Sequence, residues 1–162
     1  MSRFFFTFII LLLVWFGFTT SVDPQEIITG SILSLIISLF AYKTFTDVGL
    51  KYFKPRTLFY IGKYLIVFFI ELIKANWDVA KRVINPKLPI NPGIVTYTTK
   101  LKSDTAKVFL ANSITLTPGT LTVDIIDDKL YIHWIDVVSR DPEKIFNEIG
   151  ASFENILKEI FK

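Results

Sequence analysis

The chain contains no cysteine. That excludes disulfides, thiolate nucleophiles, iron–sulfur ligation and cysteine-bound zinc. Histidine occurs once, at His133. Its i+3 neighbour Asp136 points to the opposite face of a strand, so no His–Asp dyad forms within that segment. Glycine is sparse, and Pro92-Gly93 and Pro118-Gly119 lack the following Gly, Lys or Ser of a nucleotide loop. The adjacent acids Asp127 and Asp128 lack the ligand spacing of a calcium loop and read as turn residues. No catalytic, cofactor-binding or metal-ligating set is expected, and no enzyme activity.

Charge is the other scarce commodity. Residues 4–22 and 27–42 hold no Asp, Glu, Lys, Arg or His. The first run has 19 residues. As a helix it reaches ~28 Å, close to the thickness of a hydrocarbon core. The second has 16 residues, and the aliphatic stems of residues 43–47 extend it toward the headgroups. Neither alternates as a membrane β-strand would, so both are expected as helices. Asp23-Pro24-Gln25-Glu26 separates them, and the pair reads as a transmembrane helical hairpin. Arg3 with residues 4–18 also has the outline of a secretory signal, but a second apolar segment follows at once and no Ala-x-Ala site is present.

With a mean hydropathy of +0.47 over 162 residues, the chain is too apolar for an ordinary soluble domain. A net charge of +3 suits a neighbour of anionic lipid better than a nucleic-acid binder. Absent Cys, a single Met and many Ile, Lys and Glu lean toward a thermophile composition. The hairpin turn is acidic, whereas Arg3 precedes it and Lys43, Lys51, Lys54, Arg56 and Lys63 follow it. The positive-inside rule therefore places both ends on the cytoplasmic side of the cell membrane.

Residues 56–84 form the ambiguous segment. Lys63, Glu71, Lys74, Asp78, Lys81 and Arg82 share a sector of about 100° on a helix, and Leu58, Ile61, Leu65, Phe68, Phe69, Leu72, Ile73 and Trp77 fill the remainder. Three readings are open. It lies in the membrane interface, it crosses the membrane with its polar stripe on partner subunits, or it is the apolar-faced helix of a soluble domain.

The expected organisation is a hairpin over 1–48, an amphipathic helix over 49–84, a Pro-rich linker over 85–93 acting as a semi-rigid spacer, and a cytoplasmic α+β domain over 94–162. In that domain residues 94–101 read as a strand. A helix follows from Ser103-Asp104, closed by Thr117-Pro118-Gly119. Residues 120–126 alternate, with Leu121, Val123 and Ile125 expected on one face. Residues 130–137 make the hairpin partner, with Leu130, Ile132 and Trp134 on one face. Asp141-Pro142 starts a last helix with the stripe Ile145, Ile149, Phe153, Ile156, Leu157 and Ile160, and with Glu154 and Lys158 in water. The order is β-α-β-β-α, with both helices on one side of the sheet and the first two strands parallel.

Within the hairpin the polar atoms are hydroxyls. Ser31, Ser34 and Ser38, with Gly30 and Ala41, form a small-residue face suited to close approach of another membrane helix, or are tolerated lipid-facing hydroxyls. Glu71, with Lys74 three residues on, is the one candidate for an ionisable relay.

Pro92-Gly93-Ile94-Val95, Leu101-Lys102-Ser103-Asp104 and the run from Leu110 through Asn112, Thr115, Thr117, Pro118, Gly119 and Thr120 to Asp124 closely resemble the E-type subunit of the Mrp (Mnh, Pha) multisubunit cation/proton antiporters. The hydrophobic N-terminus, basic amphipathic middle and small C-terminal domain are similar too. The resemblance implies an accessory, non-catalytic subunit of a Na+/H+ antiport module, free or within a membrane-bound hydrogenase-type respiratory complex. It implies other small membrane subunits as partners in an obligate hetero-oligomer beside the lipid bilayer, with no nucleic acid and no cofactor. Asn112, Thr115, Thr117, Pro118, Gly119 and Thr120 are then candidate partner-contact residues, or simply an internal turn. The alternative function is direct ion translocation through Glu71 and Lys74.

Overall fold

The computed structural model describes residues 1–45 and 49–162, with backbone only at Lys51 and Tyr52. The expected extension of the second span through Asp47, and the boundary at residue 48, lie partly outside the described residues. By contacts the chain divides into two units, Met1–Leu58 and Phe59–Lys162.

In the first unit, helix α1 spans Ser2–Thr19 and α2 spans Pro24–Phe45. Both are long and apolar enough to cross a membrane. Thr20 closes α1 in the left-handed conformation, φ 49°, its N–H donating to Phe16 O at 2.9 Å. The Asp23 N–H then bonds Ser21 Oγ at 3.2 Å and Pro24 opens α2, a position where its missing N–H costs nothing. Contacts of Phe4 with Tyr42 and of Trp15 with Gly30 make the two helices antiparallel. Gly30, Ser34 and Ser38 are buried at four-residue spacing. An added Cβ at Gly30 would stand 2.4 Å from the Trp15 ring. The small face is therefore used, at least in these three residues, to let α1 approach, while Ser31 stays half-buried. The large side chains, among them Leu13, Phe18, Leu39 and Phe40, point outward. A turn of 3-10 helix, Gly49–Phe53, follows, with the Leu50 N–H donating to Ser2 Oγ at 3.0 Å.

Helix α3 runs unbroken over Pro55–Ile84. In the second unit its length beyond Phe59 accompanies a sheet of β1 (Gly93–Thr98), β2 (Thr120–Ile126) and β3 (Lys129–Trp134), in the order β1-β3-β2. Since β3 is antiparallel to both neighbours, β1 and β2 run parallel with β3 between them. The crossover is α4, Asp104–Leu116, capped by Ser103, whose hydroxyl accepts from the Ala106 N–H. The last helix comprises α5 (Pro142–Ile145), a π-helical turn (Phe146–Gly150) and α6 (Ala151–Ile160). Asp141 caps it and Pro142 opens it. Val95, Tyr97, Leu130 and Ile132 from the sheet meet Leu110 and Ile114 of α4 and Phe153, Ile156 and Leu157 of α6, all buried. One sheet face thus carries both helices, and the other is left outside with His133 exposed on it.

Two expectations are corrected. Leu121 and Val123 do not face the core: they are 49% and 57% exposed. Thr122 takes the inward position opposite Ile132, its hydroxyl donating to Ala111 O at 3.2 Å. A register shift between Thr122 and Asp124 then places Ile125 opposite Leu130. Hydrogen bonding to the end of α4 outweighs simple alternation here, and a bulge restores the apolar contact further on. Glu154 is the second case. It is fully buried, its Oε2 accepting from Tyr97 Oη at 2.9 Å and Thr99 Oγ1 at 2.8 Å, its Oε1 from Lys100 N at 3.0 Å. Lys158 Nζ lies 3.1 Å away.

Along α3 the side turned to the domain is mixed: Tyr64, Phe68, Ala75 and Val79 share it with Glu71 and Arg82, while Lys63, Lys74, Asp78 and Lys81 stay exposed. Phe68 and Tyr64 contact the Phe153 ring at centroid distances of 6.2 and 6.4 Å, and the Tyr64 and Ser113 hydroxyls hydrogen-bond. The segment 85–93 is tied down. The Asn91 N–H donates to Ile135 O at 3.1 Å, and the Val137 N–H to Asn91 O at 2.8 Å.

Candidate functional site

Proline cannot continue a helix, and a glycine at φ +93° turns the chain where other residues are strained. Thr117-Pro118-Gly119-Thr120 uses both properties to pass from α4 to β2. Thr117 Oγ1 donates to Ile114 O at 2.7 Å, and Thr120 Oγ1 donates to the same carbonyl at 2.6 Å. Helix α4 thereby ends with an orphan carbonyl satisfied twice. The Ile135 N–H donates to Gly119 O at 2.8 Å, and an added Cβ at Gly119 would meet Ile135 Cγ2 at 3.0 Å. Thr115 Oγ1 accepts from the Thr122 N–H at 3.1 Å. Most of the motif's hydroxyls thus bond inward.

The turn forms one wall of a cavity of about 300 Å³. The polar side of α3 forms another, through Glu71, Ala75, Asp78 and Arg82. The end of β3 at Trp134, the following Ile135 and Asp136, and the last helix (Glu148, Ile149, Ser152, Phe153) complete it. Of the sequence candidates, Glu71 and Thr117, Pro118, Gly119 and Thr120 converge here. Lys74 does not line it; its Nζ pairs with Glu71 Oε1 at 3.0 Å and it is exposed. Asn112 and Thr115 also lie off it, on the exposed side of α4.

Arg82 organises the polar lining. Its Nε donates to Asp78 Oδ2 and its Nη1 to Asp136 Oδ2, both at 2.7 Å, and Nη1 also reaches Pro89 O at 2.7 Å. Its hydrogen bonds to Asp78, then to Asp136, hold its pKa above the usual guanidinium value. One planar fork thus joins α3, the linker and the segment just after β3, a geometry lysine does not reproduce. Tyr64 is pushed up by burial, partly offset by its bond to Ser113. Sequence reading placed Arg82 on a polar stripe but gave no sign that Asp136, 54 residues on, would meet it.

Chemically the site holds engaged pairs rather than a poised nucleophile and base. Among the described residues no three His, Asp or Glu side chains are grouped to hold a metal ion. The arrangement fastens elements together.

Comparison with known proteins follows the same lines. A family model described as Na+/H+ ion antiporter subunit matches residues 8–160. The chain is similar to the E subunit of the Na(+)/H(+) antiporter of Alkalihalophilus pseudofirmus, 39% identical over 95% of each chain. It is similar to the E1 subunit of a Staphylococcus aureus Na(+)/H(+) antiporter, 37% identical over 93% of this chain and 92% of the relative. Among solved structures it resembles a chain of the membrane-bound sulfane sulfur reductase, an archaeal respiratory membrane complex. The identity there is 46% and the TM-score 0.83, over 99% of this chain and all of that one.

Proposed function

The chain belongs to the E-type subunit family of Na+/H+ antiporters, and from that premise we propose that it is a non-catalytic accessory subunit that braces an Mrp-type antiport module in the cell membrane. One observation carries the reading. The two spans contain no ionisable acid, base or histidine between residues 4 and 22 or between 27 and 42. A conducting path needs such groups at depth. The large apolar side chains of the hairpin point outward, as suits a surface covered by lipid or by other membrane helices. Glu71 and Lys74 neutralise each other at the surface of α3, which does not favour a relay. The likeness to a chain of an archaeal respiratory membrane complex supports a redox-coupled setting for the module. The distribution of Lys and Arg around the hairpin supports a cytoplasmic C-terminal domain.

The test is companionship. A C-terminally tagged chain, purified from native membranes in mild detergent, is expected to carry antiporter-type membrane subunits, with redox subunits if the module is coupled. Recovery alone, with the larger subunits elsewhere on the gradient, counts against the reading. Loss of transport by Glu71→Gln in a complex that still assembles would instead favour direct ion translocation.

A further inference from the structure

We propose that α3 is an in-plane membrane strap, whose outward apolar face rests on an anionic bilayer surface while its opposite face carries the C-terminal domain. At 100° per residue, the exposed side chains Leu65, Ile66, Phe69, Ile73 and Trp77 fall on an arc of about 140° or less. Tyr64, Phe68 and Arg82, which hold the domain, fall roughly opposite. The domain covers one side of the helix, whereas the apolar arc across from it is bare and a row of exposed lysines runs beside it. With Phe59, Ile70, Val83 and Ile84 also exposed, the bare apolar side runs ~38 Å along the helix, far more than a soluble surface ordinarily leaves open.

Three observations identify the cover as lipid. Only nine residues separate the end of α2 at Phe45 from the start of α3 at Pro55, a reach of at most ~30 Å, so α3 begins near a membrane face. Lys63, Lys74 and Lys81 line one border of the apolar arc at nearly the same angle, which complements anionic headgroups. Trp77 lies within the arc beside that border, with Lys81 Nζ 5.5 Å from its ring centroid; indole and ammonium together suit the headgroup level. The one polar side chain well inside the arc, Asn76, turns its amide back to Leu72 O at 2.8 Å. A membrane-crossing α3 would have to bury this domain-bearing side, with Asp78, Arg82 and Asp136, in hydrocarbon.

The absence of cysteine makes the test direct. Single cysteines at Ile66, Ile73 and, as a control, Lys129 are spin-labelled in the full chain. Collision with oxygen is compared with collision with a water-soluble nickel complex, in vesicles with and without phosphatidylglycerol and in the assembled complex in nanodiscs. Labels at 66 and 73 are expected to favour oxygen several-fold over the Lys129 label, in vesicles and complex alike. Lys63→Gln with Lys81→Gln is expected to lower that ratio in phosphatidylglycerol vesicles to the value found without it. Ratios favouring nickel at 66 and 73 overturn the proposal. So does protection from both reagents in the complex, because a neighbouring protein is then the cover. An unchanged ratio in the lysine variant removes the anionic-lipid assignment. The inference rests on the hairpin being membrane-embedded; the companionship experiment is scored on recovered subunits, so failure of one is distinguishable from failure of the other.

Discussion

A carboxylate with no exposure is tolerated only when donors satisfy its lone pairs. Glu154 meets that condition with two hydroxyls, one backbone N–H and the Lys158 ammonium, and so ties α6 to the end of β1. The same contact pushes the Tyr97 phenol far up, first through burial and then through the carboxylate beside it. Glu154→Ala leaves two buried hydroxyls and one half-buried N–H without this acceptor. It is expected to destabilise the domain by about 3–5 kcal/mol, and Glu154→Gln by about 1–3 kcal/mol. Hydrogen exchange of the full chain in detergent reads this: amides of β1 and α6 lose protection while those of α1 and α2 keep it. Unchanged protection in the Ala variant would show the cluster to be dispensable. Close by, a Cβ on Gly150 would stand 2.6 Å from the Tyr97 ring, so Gly150→Ala is expected to cost about 1–3 kcal/mol by overpacking. None of this was legible in the sequence. Helical periodicity put Glu154 on the wet face, and its donors lie some 55 residues upstream, beyond the reach of a local pattern.

Elements were more legible than their faces. The two spans, the caps at Ser103 and Asp141 and the stripe of the last helix follow from periodicity and from residues whose backbone preference is local. The face of β2 does not, because an edge strand beside a helix end answers to the free carbonyls of that helix. In the hairpin, the small-residue face was visible, but its occupant was not. Since Trp15 sits over Gly30, Gly30→Leu is expected to separate α1 from α2, lowering thermal stability in detergent, whereas Gly17→Ala, with nothing within 4 Å, leaves the packing intact. Trp15→Ala should recover part of the Gly30→Leu loss; equal damage with and without Trp15 would point to another cause. The β2–β3 turn gives a pH prediction. Asp128 is held below the usual carboxylate range, chiefly by its hydrogen bond from Lys107, with Lys102 adding to it. Lys107 is correspondingly raised, chiefly by Asp128. A lowered acid contributes stability above its unfolded pKa and loses it as pH falls through the folded one. A raised base contributes below its unfolded pKa and loses it as pH rises through the folded one. The tie between α4 and the turn is thus expected to hold between the carboxylate and ammonium ranges and to loosen outside them. Amide exchange at the β2–β3 turn, compared with Asp128→Asn, checks it: the variant should be flat through the acid limb.

Among the described residues every buried core hydrophobic lies between Val95 and Ile160, whereas the hairpin buries only small or hydroxyl residues: Thr7, Gly30, Ser34 and Ser38. The molecule therefore joins two solvents' worth of design, one unit with its apolar side chains inside and one with them outside. Pro-rich residues 85–93 suggested that the boundary falls there, because proline signals a break in helix but says nothing about which side of the break packs with which. By contacts the division falls instead at Leu58/Phe59, since Tyr64 and Phe68 pack on Phe153 and Arg82 binds Asp136 and Pro89. It follows that a fragment of residues 59–162, kept in mild detergent to cover α3, should fold without the hairpin. A fragment of residues 90–162 should be weaker, having lost two aromatic contacts, the Tyr64–Ser113 bond and the Arg82 fork. Those losses sum to roughly 2 kcal/mol or more. For a domain of this size 1 kcal/mol moves Tm by about 4–8 °C, so the shorter fragment is expected to melt ~10 °C or more below the longer one. Arg82→Gln in the longer fragment should cover part of that gap. Equal melting of the two fragments would mean that α3 merely lies alongside the domain, and the strap would then have nothing to hold.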